Sequence, residues 1–315
     1  ADSDTAGSID IDNAEASGGA AVSGTLTFTG DVDTGIFGTT RGIIDIDVAD
    51  SSVSGVTQTV EFGGNVSATT TLNQNGELIV LNVNGTSDQT WTGLLNSNGG
   101  AGEGTLNITK TGGTATFASA IGTTEALLLI DATTAASTAV FQAAVEATNI
   151  TNTGTATFDS TAIATTVTLD SGSTSTFTGE LTATTLAVNG TATATVGFGH
   201  TTSSDANTVA TVDLSTTATL ILDDTITNGM TVFATTNLDG TTTGGDVATG
   251  SKIYLPVNLS NAQTLILFSD TDNGGDVDTA TDAAMQDTAL MTYSSVEASQ
   301  VVTVTATEVS QATLQ

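Results

Sequence analysis

One short phrase recurs along this chain and limits what the chain can fold into. GTLTF (Gly24–Phe28), GTATF (Gly113–Phe117) and GTATF (Gly154–Phe158) are nearly identical. GSTSTF (Gly172–Phe177), GTATATVGF (Gly190–Phe198) and STTATLIL (Ser215–Leu222) are looser versions. From Phe117 the marks fall at Phe141, Phe158, Phe177, Phe198 and Leu220, with gaps of 24, 17, 19, 21 and 22 residues. A period near about 20 residues is the length of one supersecondary unit, too short to bury an apolar face alone. Stacked copies bury a continuous core between them. Two or three short strands and their corners fill such a unit. The expected fold class is therefore all-β: a β-solenoid with coils of about 20 residues and atypical terminal segments.

Local patterning agrees. Polar and apolar residues alternate in Ile9-Asp10-Ile11-Asp12, Thr25-Leu26-Thr27-Phe28, Ile44-Asp45-Ile46-Asp47-Val48 and Val167-Thr168-Leu169. That period of two marks a strand with one buried face. Thr, Val and Ile are abundant, and β-branched side chains suit a pleated, half-buried surface. Asn75-Gly76, Asn84-Gly85, Asn189-Gly190, Asn228-Gly229 and Asp239-Gly240 supply turn residues that tolerate positive φ. The one stretch with a helical texture is Thr138 to Asn149, where AVFQAAVEA has room for two or three turns. The alternative architecture is tandem β-sandwiches, which also give short strands with turn signals every 8–12 residues. Sandwiches usually carry a buried Trp or Tyr framework; here Trp91, Tyr254 and Tyr293 read as lying outside the repeats.

The repeats divide the chain into three regions. Residues 1–105 are an N-terminal β region of irregular coils or an assembly segment. Residues 106–245 are the solenoid repeats. Residues 246–315, with Tyr254 and Pro256, read as a C-terminal β cap or assembly module, because an open stack exposes unpaired strand edges at its ends.

Charge excludes several functions. Only Arg41, Lys110 and Lys252 are basic against 34 acidic residues, for a net charge of -31. Phosphate contacts need Lys and Arg, so a nucleic-acid partner is not expected, nor is docking on anionic lipid. The charge favours solubility, mutual repulsion and attraction of cations. There is no cysteine, which closes disulfide, zinc-thiolate and cysteine-nucleophile chemistry. The longest apolar run, Ala126 to Ile130, is strand-sized, so no membrane span is expected. Ala1-Asp2 reads as a mature end left by cleavage at a small-residue site.

TLNITKTGGTATF, Thr105 to Phe117, resembles the repeat of autotransporter passenger domains, in which a Leu-x-Lys-x-Gly phrase precedes alternating strand residues. The Thr/Ala-rich coils from Gly113 to Phe198 resemble bacterial secreted β-solenoid surface proteins of the adhesin, sheath and surface-layer type. The resemblance implies a secreted, extracellular or cell-surface protein with a structural or adhesive role. It carries no catalytic residues to this chain. No run of lipid-facing strands with aromatic girdles, of the kind that ends a full autotransporter, is read here.

Candidate chemistry is sparse. His200 is the only histidine, so Ser-His-Asp and multi-histidine metal sites are excluded. GFGH (Gly197–His200) and Asp223-Asp224 have a distant likeness to solenoid polysaccharide hydrolases, but the basic residues such enzymes use on acidic sugars are missing. An enzyme is not expected. The strongest candidate site is SDTDNGGDVDTATD, Ser269 to Asp282. Asp270, Asp272, Asn273, Asp276 and Asp278 place oxygen ligands around Gly274-Gly275, a pattern that suits Ca²⁺. It is not an EF-hand, since no Glu closes the loop at its twelfth position. A solvated acidic turn is the other reading. Weaker acidic sets are Asp2, Asp4, Asp10 and Asp12, and Asp31, Asp33, Asp45 and Asp47. Asn-x-Ser/Thr sequons stand at Asn65, Asn84, Asn107, Asn149, Asn189 and Asn258.

The tail QVVTVTATEVSQATL, Gln300 to Leu314, alternates as a strand would. Either it is the last strand of its own domain or it adds to a neighbouring subunit; the segment up to Gly18, anchored by Ile9 and Ile11, offers the same choice. The expected function is a secreted structural protein that assembles with itself, as a homopolymer, into an extracellular filament or surface layer. The alternative is an adhesin or receptor-binding stalk for glycan or another cell surface.

Overall fold

A computed structural model of the chain describes residues 7–12, 24–30, 43–49, 57–73, 78–97, 102–196, 208–215, 217–222, 237–239, 252–255, 263–265, 290–293 and 302–304. Every regular element among them is a strand, and the strands stack as a parallel β-solenoid of about 6 turns with roughly 21-residue coils. By contact clustering the chain forms two units, Ala1–Ala156 and Thr157–Gln315, taken here one at a time.

In the first unit three parallel sheets form the coil walls. One holds β1 (Gly7–Asp12), β3 (Ile43–Ala49), β5 (Thr69–Asn73) and β8 (Leu95–Ser97). A second runs β2 (Gly24–Phe28), β4 (Thr57–Phe62), β6 (Leu78–Val83), β9 (Glu103–Ile108), β11 (Leu127–Ala132) and β13 (Val145–Asn152). The third runs β7 (Gln89–Trp91), β10 (Thr114–Phe117) and β12 (Thr138–Phe141). The unit boundary falls within β14 (Thr155–Phe158).

The second unit has one sheet of β15 (Ala162–Leu169), β17 (Leu181–Val188), β19 (Thr208–Leu214) and β21 (Asn237–Asp239). Its other wall is β16 (Thr174–Phe177), β18 (Thr193–Val196), β20 (Thr219–Leu222), β22 (Lys252–Leu255) and β24 (Leu290–Tyr293). β23 (Gln263–Leu265) and β25 (Val302–Val304) pair with each other in a separate two-stranded parallel sheet. The tail's Val302–Val304 thus pairs within its own chain.

Alternation builds these walls. β4 and β9 are both half-buried and buried by turns, with Val60 and Phe62, and Leu106 and Ile108, pointing inward. The long strands β13, β15 and β17 break this phase once. Thr148 and Asn149 in β13, Thr165 and Thr166 in β15, and Thr184 and Thr185 in β17 are consecutive outward residues. A strand that turns two successive side chains outward bends there, so one continuous strand serves two walls. The first unit shows the transition. β8 is a separate strand of the first wall, Ile121 keeps only an isolated bridge to Leu95 and to Val145, and Val145 already belongs to β13.

Parallel in-register pairing also explains the aromatic column. Phe117 pairs with Phe141, so one ring lies over the next at about the strand spacing. Their centroids are 5.1 Å apart and nearly coplanar in tilt at 9°. Phe28 and Phe62 stack likewise at 5.1 Å, and in the second unit Phe158 and Phe177 stack at 4.7 Å. Such pairs add about 0.5–1.5 kcal/mol beyond the area they bury.

Four sequence expectations change. The stretch Thr138 to Asn149 is two strands, β12 and β13, with bend residues between them. Ladder pairing of Ala139 and Phe141 to Ala115 and Phe117 outweighs the helical texture of AVFQAAVEA. Trp91 lies inside the repeats, 5.1 Å edge-on to Phe62 and 6.1 Å from Phe117. Tyr254 and Tyr293 sit on ladder strands β22 and β24. Finally, the residue in register with Phe177 is Val196, and the next is Leu222. The aromatic position passes to aliphatics two residues away from the marks at Phe198 and Leu220, and Phe198 lies outside the described residues.

Candidate functional site

The residues proposed for Ca²⁺, Asp270, Asp272, Asn273, Asp276 and Asp278, lie outside the described residues, as do His200, Asp223 and Asp224. Asp2, Asp4, Asp31 and Asp33 do too. The described members of the two weaker acidic sets are brought together by the backbone: Asp10 pairs with Asp47 and Ser8 with Asp45 on adjacent strands. Among the described residues no three His, Cys, Asp or Glu side chains gather as a metal-binding group. No described helix is long and apolar enough to cross a membrane.

The most developed polar constellation is one that sequence reasoning missed. It lies at the corner between the second and third walls of the first unit, where Lys110 is fully buried at 0% exposure. Its Nζ donates to the Ser87 carbonyl at 2.6 Å and to Gln89 Oε1 at 2.7 Å, both in the preceding coil. Gln89, itself buried, donates from Nε2 to the carbonyls of Phe62 at 2.9 Å and Gly64 at 3.1 Å, a further coil back. On the other side, Thr134 Oγ1 donates to the Lys110 carbonyl at 2.8 Å, and Ser137 Oγ donates to the Ile108 carbonyl at 2.8 Å. Four successive coils are thereby joined through side chains at one corner.

Electrostatics mark the same place. Burial pushes the Lys110 ammonium below the ordinary lysine value, against the pull of the Asp88 carboxylate, which raises it. Asp88 Oδ1 is also the acceptor for the Thr114 amide at 2.9 Å. Asn65 Oδ1 does the same for the Thr90 amide at 2.7 Å, and Asn96 Oδ1 for the Thr124 amide at 3.2 Å. In each case a side chain accepts from a backbone donor in the following coil, a local substitute for the ladder where the chain turns. The Lys110 ammonium is spent on acceptors of the preceding coil, so this constellation is joinery between coils. The signal available in sequence was a lone lysine in the corner phrase ITKTGG (Ile108–Gly113), preceded 21 residues earlier by a glutamine.

Corners of the second unit carry a simpler version. The amides of Ser173, Ala192 and Ala218 each donate to the carbonyl three residues before, closing β-turns. Gly172 takes φ of 89° in the first of these, and Thr217 takes φ of 69° at the same turn position in the third. Thr217 Oγ1 donates to the Gly190 carbonyl at 3.0 Å, a bond that offsets part of the left-handed strain.

Outward surfaces differ between walls. In the first unit Thr27, Glu61, Asn82, Asn107 and Asp131 lie in one ladder row on the β2–β13 sheet. Thr27 Oγ1 donates to Glu61 Oε2 at 3.0 Å in that row. The β7–β12 and β16–β20 walls instead present mostly Thr side chains, with Val140 on β12 and Ile221 on β20 among them. No family model, no curated protein and no solved structure matches the chain.

Proposed function

We propose that the protein is a secreted structural protein whose copies join end to end through strand pairing into an extracellular filament or surface layer. The observation that carries this reading is the coil-on-coil parallel ladder. Each coil of a solenoid offers its neighbour a full set of backbone donors and acceptors, so the outermost coil offers the same set to another chain. Among the described residues, β1 pairs only with β3 and β2 only with β4, each being first in its sheet. A head-to-tail contact of this kind that does not close on itself makes a fibre. The resemblance of Thr105 to Phe117 to autotransporter passenger repeats supports the same reading.

The charge of -31 opposes side-by-side clumping and makes assembly sensitive to cations. Ca²⁺ bound by Asp270, Asp272, Asn273, Asp276 and Asp278 is part of this proposal, as the ion that lowers repulsion at contacts. The test is negative-stain microscopy of the purified chain with Ca²⁺, with a chelator and over a range of salt. Filaments or sheets that shorten or disperse on chelation are expected. Dispersed single copies in every condition overturn the proposal. The adhesin reading has less support: aromatic platforms for glycan are few, with Phe the commonest at 10 and Trp at 1, and the described Phe117, Phe141, Phe158 and Phe177 point into the core.

A further inference from the structure

The wall containing β10 and β12 in the first unit, and the wall of β16, β18 and β20 in the second, share an unusual outward chemistry. Thr114 and Thr116 face outward on β10, between buried Ala115 and Phe117. Thr174 and Thr176 face outward on β16, and Thr193 and Thr195 stand beside them in register on β18. In neither unit does an outward position of β7, β10, β12, β16, β18 or β20 carry a charge. The other wall does carry charge, at Glu61 and Asp131 in the first unit and Asp213 in the second. In the first unit exposed Asp88, one residue before β7, holds the Thr114 amide at 2.9 Å, and Val140 follows Thr116 in register. In the second unit, in a chain with 34 acidic residues, the neutrality narrows the partner to something uncharged.

Geometry narrows it further. Parallel strands repeat about every 4.8 Å, and alternate residues along a strand about every 6.6 Å, so the hydroxyls form a flat two-dimensional lattice. Water molecules hydrogen-bonded at about 2.75 Å in a tetrahedral network have second neighbours about 4.5 Å apart and a longer stacking repeat of about 7.3 Å. In the second unit Thr174, Thr193 and Thr219 form one row and Thr176 and Thr195 the other, which ends at Ile221. The lattice there is two hydroxyls wide, so the mismatch along the strand is met once and does not accumulate. Between hydroxyls the Thr methyls restrict the orientation of the water against them. A face three strands by four residues covers about 200 Å² by those spacings, well under the roughly 800 Å² per partner of a stable protein interface. That area disfavours a second copy as the occupant. No aromatic ring stands among these outward positions to stack on a sugar.

We propose that the threonine lattice of the second unit adsorbs to ice, with hydroxyls joining and methyls ordering the surface water. The full chain is expected to facet growing ice crystals and to slow the coarsening of a frozen polycrystalline film. Thr176→Lys with Thr195→Lys should abolish both effects with an unchanged far-ultraviolet circular dichroism spectrum. Thr168→Lys, on the other wall of the same unit, should leave both intact. If the lysine pair loses its strand signal, Thr176→Tyr with Thr195→Tyr replaces it, since tyrosine favours strands and still breaks the flat lattice. Round, unfaceted crystals with coarsening at the rate of an inert protein overturn the proposal. So does a folded double variant with full activity. Sedimentation with crystalline cellulose or chitin, together with no effect on ice, reassigns the lattice to polysaccharide and sinks the ice assignment.

Discussion

Lys110→Met is the sharpest test of how the coils are held at their corners. The substitution keeps a long unbranched side chain but removes two hydrogen bonds, 2.6 Å to the Ser87 carbonyl and 2.7 Å to Gln89 Oε1. Buried Gln89 Oε1 and the part-buried Ser87 carbonyl are then left without that donor, and an orphaned buried acceptor costs about 1–3 kcal/mol. Against this stands relief from burying an ammonium, which burial already disfavours. We expect a net loss of about 2–3 kcal/mol. Gln89→Leu alone should cost at least as much, because it strands the ammonium as well as the carbonyls of Phe62 and Gly64. The double variant should be less destabilised than the two losses added, with a coupling of about 1.5–3 kcal/mol. Urea unfolding followed by tryptophan fluorescence measures all four proteins. The chain has one tryptophan, and Trp91 is buried on the same strand as Gln89, in contact with Phe62 and Phe117. It therefore reports on the coils that Lys110 joins, even where distant coils unfold separately. An unshifted midpoint for Lys110→Met, or strict additivity in the cycle, would falsify the corner argument.

Three further outcomes follow from the same structure. Burial holds folded Lys110 below the 10.5 of the unfolded chain, so between those two values the unfolded chain keeps a proton the folded chain has released; wild-type stability should rise relative to Lys110→Met as pH climbs towards 10.5, and a fall would refute the assignment. Phe177→Ala, at a fully buried rung stacked 4.7 Å from Phe158, should cost about 3–5 kcal/mol by chemical denaturation. Phe177→Leu should cost much less, because buried Val196 already takes the same register position on the next strand, and equal losses for the two variants would argue against a tolerant interior. Gly179→Ala places a Cβ 2.3 Å from the Ser160 carbonyl carbon and oxygen, whereas Gly172→Ala meets nothing within 4 Å and carries only the strain of φ at 89°. Thermal unfolding should show the second losing about 1–2 kcal/mol and the first clearly more; the reverse order would refute the close packing of coils at Gly179.

The sequence by itself determined that this chain is built of strands and that the strands repeat. GTATF at Gly113 and Gly154 alternates because one face must be buried, and its recurrence shows that the units need one another. Composition also removed whole classes of chemistry, since three basic residues and no cysteine are properties that folding cannot alter. Only the tertiary structure decided register and corners. Whether Phe177 is followed in its column by Val196 or by Phe198 depends on how many residues each corner consumes, and corners tolerate insertions that strands do not. The stretch Thr138 to Asn149 shows the same limit: its local preference was helical, and the ladder with Ala115 and Phe117 overruled it. Lys110 and Gln89 stand 21 residues apart and meet because one coil lies on the next. Nothing local distinguishes that lysine from a solvated one. The threonine lattice is the converse case, written out in TATF, TSTF and TATV, yet a lattice only once parallel pairing sets its residues side by side.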